Sequence, residues 1–143
     1  APGRLSVRRS LRNTRKTSAN NSTTRAQLWT ILARQNAADL TGGSIWYEKA
    51  QNWAKEKGIS DGANPNGTIN RAQMVTMLWR AMGQPAAGST ANFIDVPADA
   101  YYANAVSWAV ENGITTGVGG GRFDPTATCT RAQIAAFLAR SMK

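Results

Sequence analysis

The chain has 143 residues, 42% of them apolar, with 17 Lys+Arg against 8 Asp+Glu, one cysteine and no histidine. That length suits one compact domain or a few small repeats sharing a core, and that apolar content is enough to bury one. No apolar run approaches the roughly 20 residues that cross a bilayer; Cys129 alone builds neither an internal disulfide nor a cysteine-rich zinc site; and the lack of histidine removes the commonest general base and metal ligand.

No nucleophile–base pair, carboxylate pair or metal cluster emerges, so no catalytic residue, metal or cofactor is expected. The sequence does not begin with Met and carries no signal-peptide pattern, and is expected to be a processed product or an excised fragment.

Residues 1–23 form a basic arm. Arg4, Arg8, Arg9, Arg12, Arg15 and Lys16 stand there without an acid and supply +6 of the net +9. Such an arm attracts polyanions: nucleic acid, anionic lipid or wall polymer. The alternative is a solvated, non-specific extension. No aromatic precedes Trp29, so the arm lacks a base-stacking platform. Leu5 to Leu11 could form a short helix with a thin apolar stripe.

Beyond the arm the chain repeats itself. Thr24-Arg25-Ala26-Gln27-Leu28 recurs as Asn70-Arg71-Ala72-Gln73-Met74 and as Thr130-Arg131-Ala132-Gln133-Ile134, and each copy runs on to an arginine, at Arg34, Arg80 and Arg140. Thr24, Asn70 and Thr130 read as helix N-caps, with glutamine three residues on completing a capping box. Ile69 with Met74 and Cys129 with Ile134 fit a hydrophobic staple, which gives Cys129 a packing role. Leu28, Ile31 and Leu32, then Met74, Met77 and Leu78, then Ile134, Phe137 and Leu138 fall on one face of an amphipathic helix.

A second motif appears twice. Trp46-Tyr47 leads through Ala50, Trp53 and Ala54 to Gly58-Ile59 and Gly62, and Tyr101-Tyr102 leads through Ala105, Trp108 and Ala109 to Gly113-Ile114 and Gly117. This is also helical. Gly58 and Gly113 suit the left-handed position after the helix, and Ile59 and Ile114 fold back on Ala54 and Ala109 in a Schellman closure. Of each aromatic pair, one ring is expected in the core and the other free to present a flat face; both buried is the alternative. A five-residue insertion around Gly119-Gly120-Gly121 distinguishes the last loop. It lacks the Gly-Lys-Ser/Thr ending of a phosphate loop.

Arg25, Arg71 and Arg131 are less easily explained by folding. Each opens a helix beside the positive end of its dipole, mildly unfavourable for a cation. Two explanations stand side by side: a structural salt bridge or hydrogen bond to loop carbonyls, or an arginine fork for a carboxylate or phosphate.

The last unit runs Phe93-Ile94-Asp95-Val96-Pro97, Tyr101-Tyr102, Gly113-Ile114, Phe123-Asp124-Pro125 and Thr130-Arg131-Ala132-Gln133. In that order these elements closely resemble the S-layer homology (SLH) motif, with its Phe-x-Asp-Val head, aromatic pair, Gly-Ile turn and Thr-Arg-Ala-Glu box. The resemblance spans about residues 24–143. It implies an all-α fold of helix-loop-helix repeats packed as a pseudo-threefold bundle, a three-pronged spindle. The expected divisions are a basic arm (1–23), a partial first repeat (24–40), a second repeat (41–83), a linker (84–91) and a third repeat (92–143).

The resemblance further implies a non-catalytic module that anchors an exported protein at the bacterial surface by binding anionic, pyruvylated secondary wall polysaccharide in grooves between repeats. Arg25, Arg71 and Arg131 become the anion contacts. Trp46, Tyr47, Tyr101 and Tyr102 supply groove aromatics, Gly62, Gly119 and Gly120 loop backbone, and Asp95 shapes the head of the last repeat. Polyanion binding through the arm, or an SLH-like scaffold for protein contacts, are the alternatives.

This sequence departs from the motif in three ways. The box has Gln at 27, 73 and 133 instead of Glu, which keeps the cap and makes the groove more anion-friendly. Ala38-Asp39-Leu40-Thr41 replaces the second repeat's head. The first repeat has no recognisable first half, so either the arm supplies a substitute helix or another molecule, such as a second copy, completes the bundle.

Overall fold

The computed structural model describes residues 23–41 and 45–142. The stretch Leu5 to Leu11 and the whole basic run lie outside them. The described residues form five helices: α1 (Arg25–Gln35), α2 (Glu48–Glu56), α3 (Arg71–Ala81), α4 (Ala103–Glu111) and α5 (Arg131–Ser141). Among them there are isolated β-bridges but no named strand, so the fold is all-α.

The repeated boxes start α1, α3 and α5. Thr24, Asn70 and Thr130 each accept the backbone N–H of the glutamine three residues on, and that glutamine's Oε1 accepts the cap residue's own N–H at 2.9 Å. Two of the amides orphaned at each helix start are thereby satisfied. At the ends of α2 and α4, the Ile59 N–H donates to Ala54 O (2.9 Å) and the Ile114 N–H to Ala109 O (2.8 Å). Gly58 and Gly113 both sit at φ +70°, where a Cβ would be strained.

The anticipated apolar faces are buried, but α1 and α3 go further. Leu28 through Ala33 are buried without a break, as are Met74 through Leu78, whereas α5 buries only Ile134, Phe137 and Leu138. A helix buried on most sides is central, while one with a single apolar stripe lies at the edge. α1 packs on α2, α3 on α4, and α3 also meets α5. The box helices α1 and α3 thus each pack against the aromatic-led helix that follows in sequence, while α5, the last helix, meets α3. Ile69, Cys129 and Thr23 hold the same register before their helices and are all buried.

The repeats are joined by a recurring backbone lock. The N–H groups of Arg25 and Ala26, at the start of α1, donate to Gly67 O and Pro65 O, both at 2.9 Å. Those of Arg71 and Ala72, at the start of α3, donate to Ala127 O and Pro125 O at 2.9 and 3.0 Å. The loop before each box helix therefore caps the previous one. Among the described residues no carbonyl plays this part for Arg131 and Ala132 of α5, and Ala132 is exposed where Ala26 and Ala72 are buried.

The segment between α3 and α4 is tied to both. The Trp79 indole N–H donates to Pro85 O (2.8 Å), the Gly88 N–H to the Glu111 carboxylate (2.8 Å) and the Ala91 N–H to Ser107 Oγ (3.1 Å). A cavity of about 560 Å³ lies beneath it, between Trp79, Phe93 and Ser107. No charged side chain lines that cavity.

Candidate anion-binding cleft

The lock brings side chains together as well as backbone. Arg25, at the start of α1, reaches across to the loop after α2: its Nε–H donates to Ala63 O at 2.9 Å, and Nη2 lies 3.3 Å from both Ser60 Oγ and Asp61 Oδ1. Asp61 Oδ1 also accepts the Ala63 N–H at 2.9 Å, which fixes the loop in an Asx turn. From α3, Arg80 donates through Nη1 to Ile59 O at 3.3 Å. Tyr101, just before α4, closes the far side. The result is an open cleft of about 200 Å³ lined by Arg25, Ser60, Asp61, Gln73, Arg80 and Tyr101, with Ile59 and Met77 at its base.

The electrostatics of the cleft are unbalanced: two guanidinium groups face one carboxylate. The Arg25–Asp61 pair is loose, and Asp61 is 74% exposed against 13% for the Arg25 side chain. Solvent therefore screens much of its attraction. Tyr101 is 58% exposed and stands edge-on to Tyr102, ring centroids 5.0 Å apart. Partial burial and the neighbouring Tyr102 raise the Tyr101 phenol above its ordinary value, against an opposing pull from Arg80 and Arg25. A flat exposed ring sharing a cleft with two guanidinium groups can cover a sugar face while the arginines take an oxyanion.

The second arginine is placed differently. Arg71 repeats the bond to the following loop, Nε–H to Phe123 O at 2.7 Å, but is only 5% exposed. Its guanidinium lies over Phe123 (4.7 Å) and Phe137 (5.4 Å), and its Nη2 has no partner among the described residues. Burial lowers its affinity for its proton, with Cys129, Asp124 and Asp95 pulling the other way. The register position of Asp61 is here Thr116, which carries no charge. Arg140 donates to Ile114 O at 3.1 Å as Arg80 does to Ile59 O. Arg131, at the start of α5, is half-buried, and its Nε is buried without a partner among the described residues.

Of the remaining residues singled out in the sequence, Trp46 is 66% exposed and edge-on to Tyr47 at 5.3 Å, in the same arrangement as Tyr101 on Tyr102. Tyr47 and Tyr102 are half-buried against the core, so each pair has one inner and one outer ring. Gly62 lies outside the cleft lining and orders its rim: its O accepts from the Gln51 amide at 2.7 Å, and a Cβ there would meet Lys55 Cδ at 2.6 Å. Gly119 and Gly120 occupy a tight exposed turn, closed by the Arg122 N–H to Gly119 O, that also stands away from the cleft. Asp95 acts as a brace, accepting the N–H groups of Phe123 (2.9 Å) and Asp124 (2.8 Å).

Ser60, Asp61 and Arg80 were not singled out from the sequence. For Arg80 a signal existed, since Arg34, Arg80 and Arg140 recur nine residues after each box arginine.

The family model of the S-layer homology domain matches residues 92–135, the stretch that holds the Asp95 brace, α4, the long loop and the start of α5. Residues 92–135 are an S-layer homology domain. The chain is also similar to a surface-layer 125 kDa protein of Lysinibacillus sphaericus, 43% identical over 75 residues, and to a cell surface protein of Thermoanaerobacter kivui, 33% identical over 79. Each alignment covers 52% of this chain but only 6% and 10% of those relatives' lengths. The S-layer homology domain contributes Tyr101 to the cleft, while Arg25, Asp61 and Arg80 come from the repeats before it. No helix among the described residues is long and apolar enough to cross a membrane.

Proposed function

We propose that this chain is a non-catalytic anchoring module that holds an exported protein at the bacterial cell surface by binding an anionic, pyruvylated wall polysaccharide. The observation that carries the reading is the cleft itself, with Arg25 and Arg80 on one side and the exposed Tyr101 ring on the other. The guanidinium groups supply charge-assisted hydrogen bonds to a carboxylate or phosphate, and the ring covers an apolar sugar face. The surface proteins to which the chain is similar support the location. Calorimetric titration with purified secondary wall polysaccharide tests the reading: binding that weakens strongly in Arg25→Gln supports it, and equal binding by that variant removes the cleft from the account.

A second reading rests on one observation, the six bases and no acid within residues 1–23. An arm of that charge binds polyanions through counterion release, with affinity that falls steeply with salt. Deleting residues 1–22 separates the two activities.

A further inference from the structure

We propose that Asp61 is an internal occupant of the anion seat on Arg25, displaced by the oxyanion of an incoming ligand. This rests on the reading of the cleft as an anionic-glycan site and adds the residue that sets its affinity. Three observations meet here. Asp61 Oδ1 holds Arg25 Nη2 at 3.3 Å, longer than the roughly 2.7–2.9 Å of a strong charge-assisted bond, and its exposure lets water take its place. Next, the fold does not require the carboxylate. At the same register the following repeat has Thr116, and Arg71 keeps its bond to Phe123 O with no salt bridge to a carboxylate among the described residues, Asp124 and Asp95 acting on it only at longer range. Finally, the Asp61 carboxylate is not the sole anchor of Arg25, since its Nε–H donates to Ala63 O at 2.9 Å. That backbone bond does not use Nη2, the atom that Asp61 would release.

Among the described residues the hydrogen bonds of Arg25 run through Nε and Nη2, so the outer edge of the guanidinium is engaged at one of its two Nη groups. A ligand carboxylate or phosphate with two oxygens engages both Nη groups, whereas Asp61, tethered by its bond to the Ala63 N–H, engages one. Bidentate geometry favours the ligand. Until it binds, the acid halves the net positive charge of the cleft and repels approaching anions, so the cleft binds more weakly than its two arginines would allow.

The test uses the full chain and two variants. Asp61→Asn keeps an oxygen for the Ala63 N–H and removes the charge; Asp61→Thr copies Thr116. Each is titrated calorimetrically with pyruvate, with inorganic phosphate and with purified secondary wall polysaccharide, beside a thermal melt. Both variants should bind the polymer about three- to tenfold more tightly than the parent. The small anion that gains most identifies carboxylate or phosphate as the seat's partner. Equal or weaker binding of every probe by a variant that melts like the parent overturns the proposal. A gain for the small anions with no polymer binding by any form upholds Asp61's role and removes the wall-glycan reading. Polymer binding that both variants leave unchanged does the reverse.

Discussion

Arg71 donates its Nε–H to the carbonyl of Phe123, 52 positions on, at 2.7 Å, while its guanidinium lies over the same residue's ring. Arg25 repeats the bond to Ala63 O, 38 positions on. One device therefore serves both arginines, tying the start of a box helix to the loop of the next repeat. What surrounds the device differs. Arg71 is covered by two phenyl rings, whereas Arg25 opens into a cleft beside Arg80 and Tyr101.

That difference predicts a split between stability and binding. Arg71→Ala removes a buried hydrogen bond and two cation–π contacts, and should cost on the order of 3 kcal/mol of folding stability. Arg25→Ala, whose contacts are partly solvated, should cost about 1 kcal/mol and lose most affinity for the wall polymer. Denaturant melts beside polymer titrations check this. Equal destabilisation by the two variants would contradict it.

Tyr101→Ala should leave the melting temperature nearly unchanged, because its ring is 58% exposed, and should weaken polymer binding several-fold through the lost sugar-facing surface. Tyr102→Ala removes the half-buried inner ring and should destabilise the fold by about 2 kcal/mol or more. Melts and titrations of the pair test the assignment of outer and inner rings.

Much of this architecture is legible in the sequence because it is local. Capping boxes, glycine closures and apolar stripes depend on residues within four or five positions of one another, and the helix starts at Arg25, Arg71 and Arg131 follow from them. The fate of each arginine is not local. Whether Arg71 is covered depends on Phe123 and Phe137, which lie 52 and 66 positions away. The role of Asp61 as partner to Arg25 likewise depends on a contact across 36 positions. The near-complete burial of α1 and α3 escaped the one-face pattern, since Thr30 and Thr76 are polar by type yet buried, with Thr30 Oγ1 bonded back to Ala26 O at 2.9 Å.

Asp95 makes the stability of the last repeat depend on acid. Burial works to raise its affinity for a proton, but the N–H groups of Phe123 and Asp124 outweigh it and hold the carboxyl below its ordinary value. A depressed folded-state value means that the brace contributes in full above the unfolded aspartate range, about pH 4, and is lost as the pH falls through the depressed value. Melting temperature followed from pH 6 to pH 2 should fall less in Asp95→Asn than in the parent. Parallel curves would contradict the brace.

Cys129 should be inert in the native protein. Burial pushes its thiol up to about 11, with Arg71 pulling the other way, so little thiolate exists at neutral pH. Alkylation by iodoacetamide at pH 8 should be negligible until denaturant is added. Rapid native-state labelling would show that the helix start at Thr130 opens readily.

The most direct test of the anchoring account is co-sedimentation with purified Gram-positive wall sacculi, before and after removal of the secondary polymer, for the full chain, Arg25→Gln and a form lacking residues 1–22. The account predicts that binding needs the polymer, falls in Arg25→Gln and survives loss of the basic residues. Binding that persists on stripped walls, or that disappears with residues 1–22 and in moderate salt, would contradict it and assign the activity to the charge of the arm.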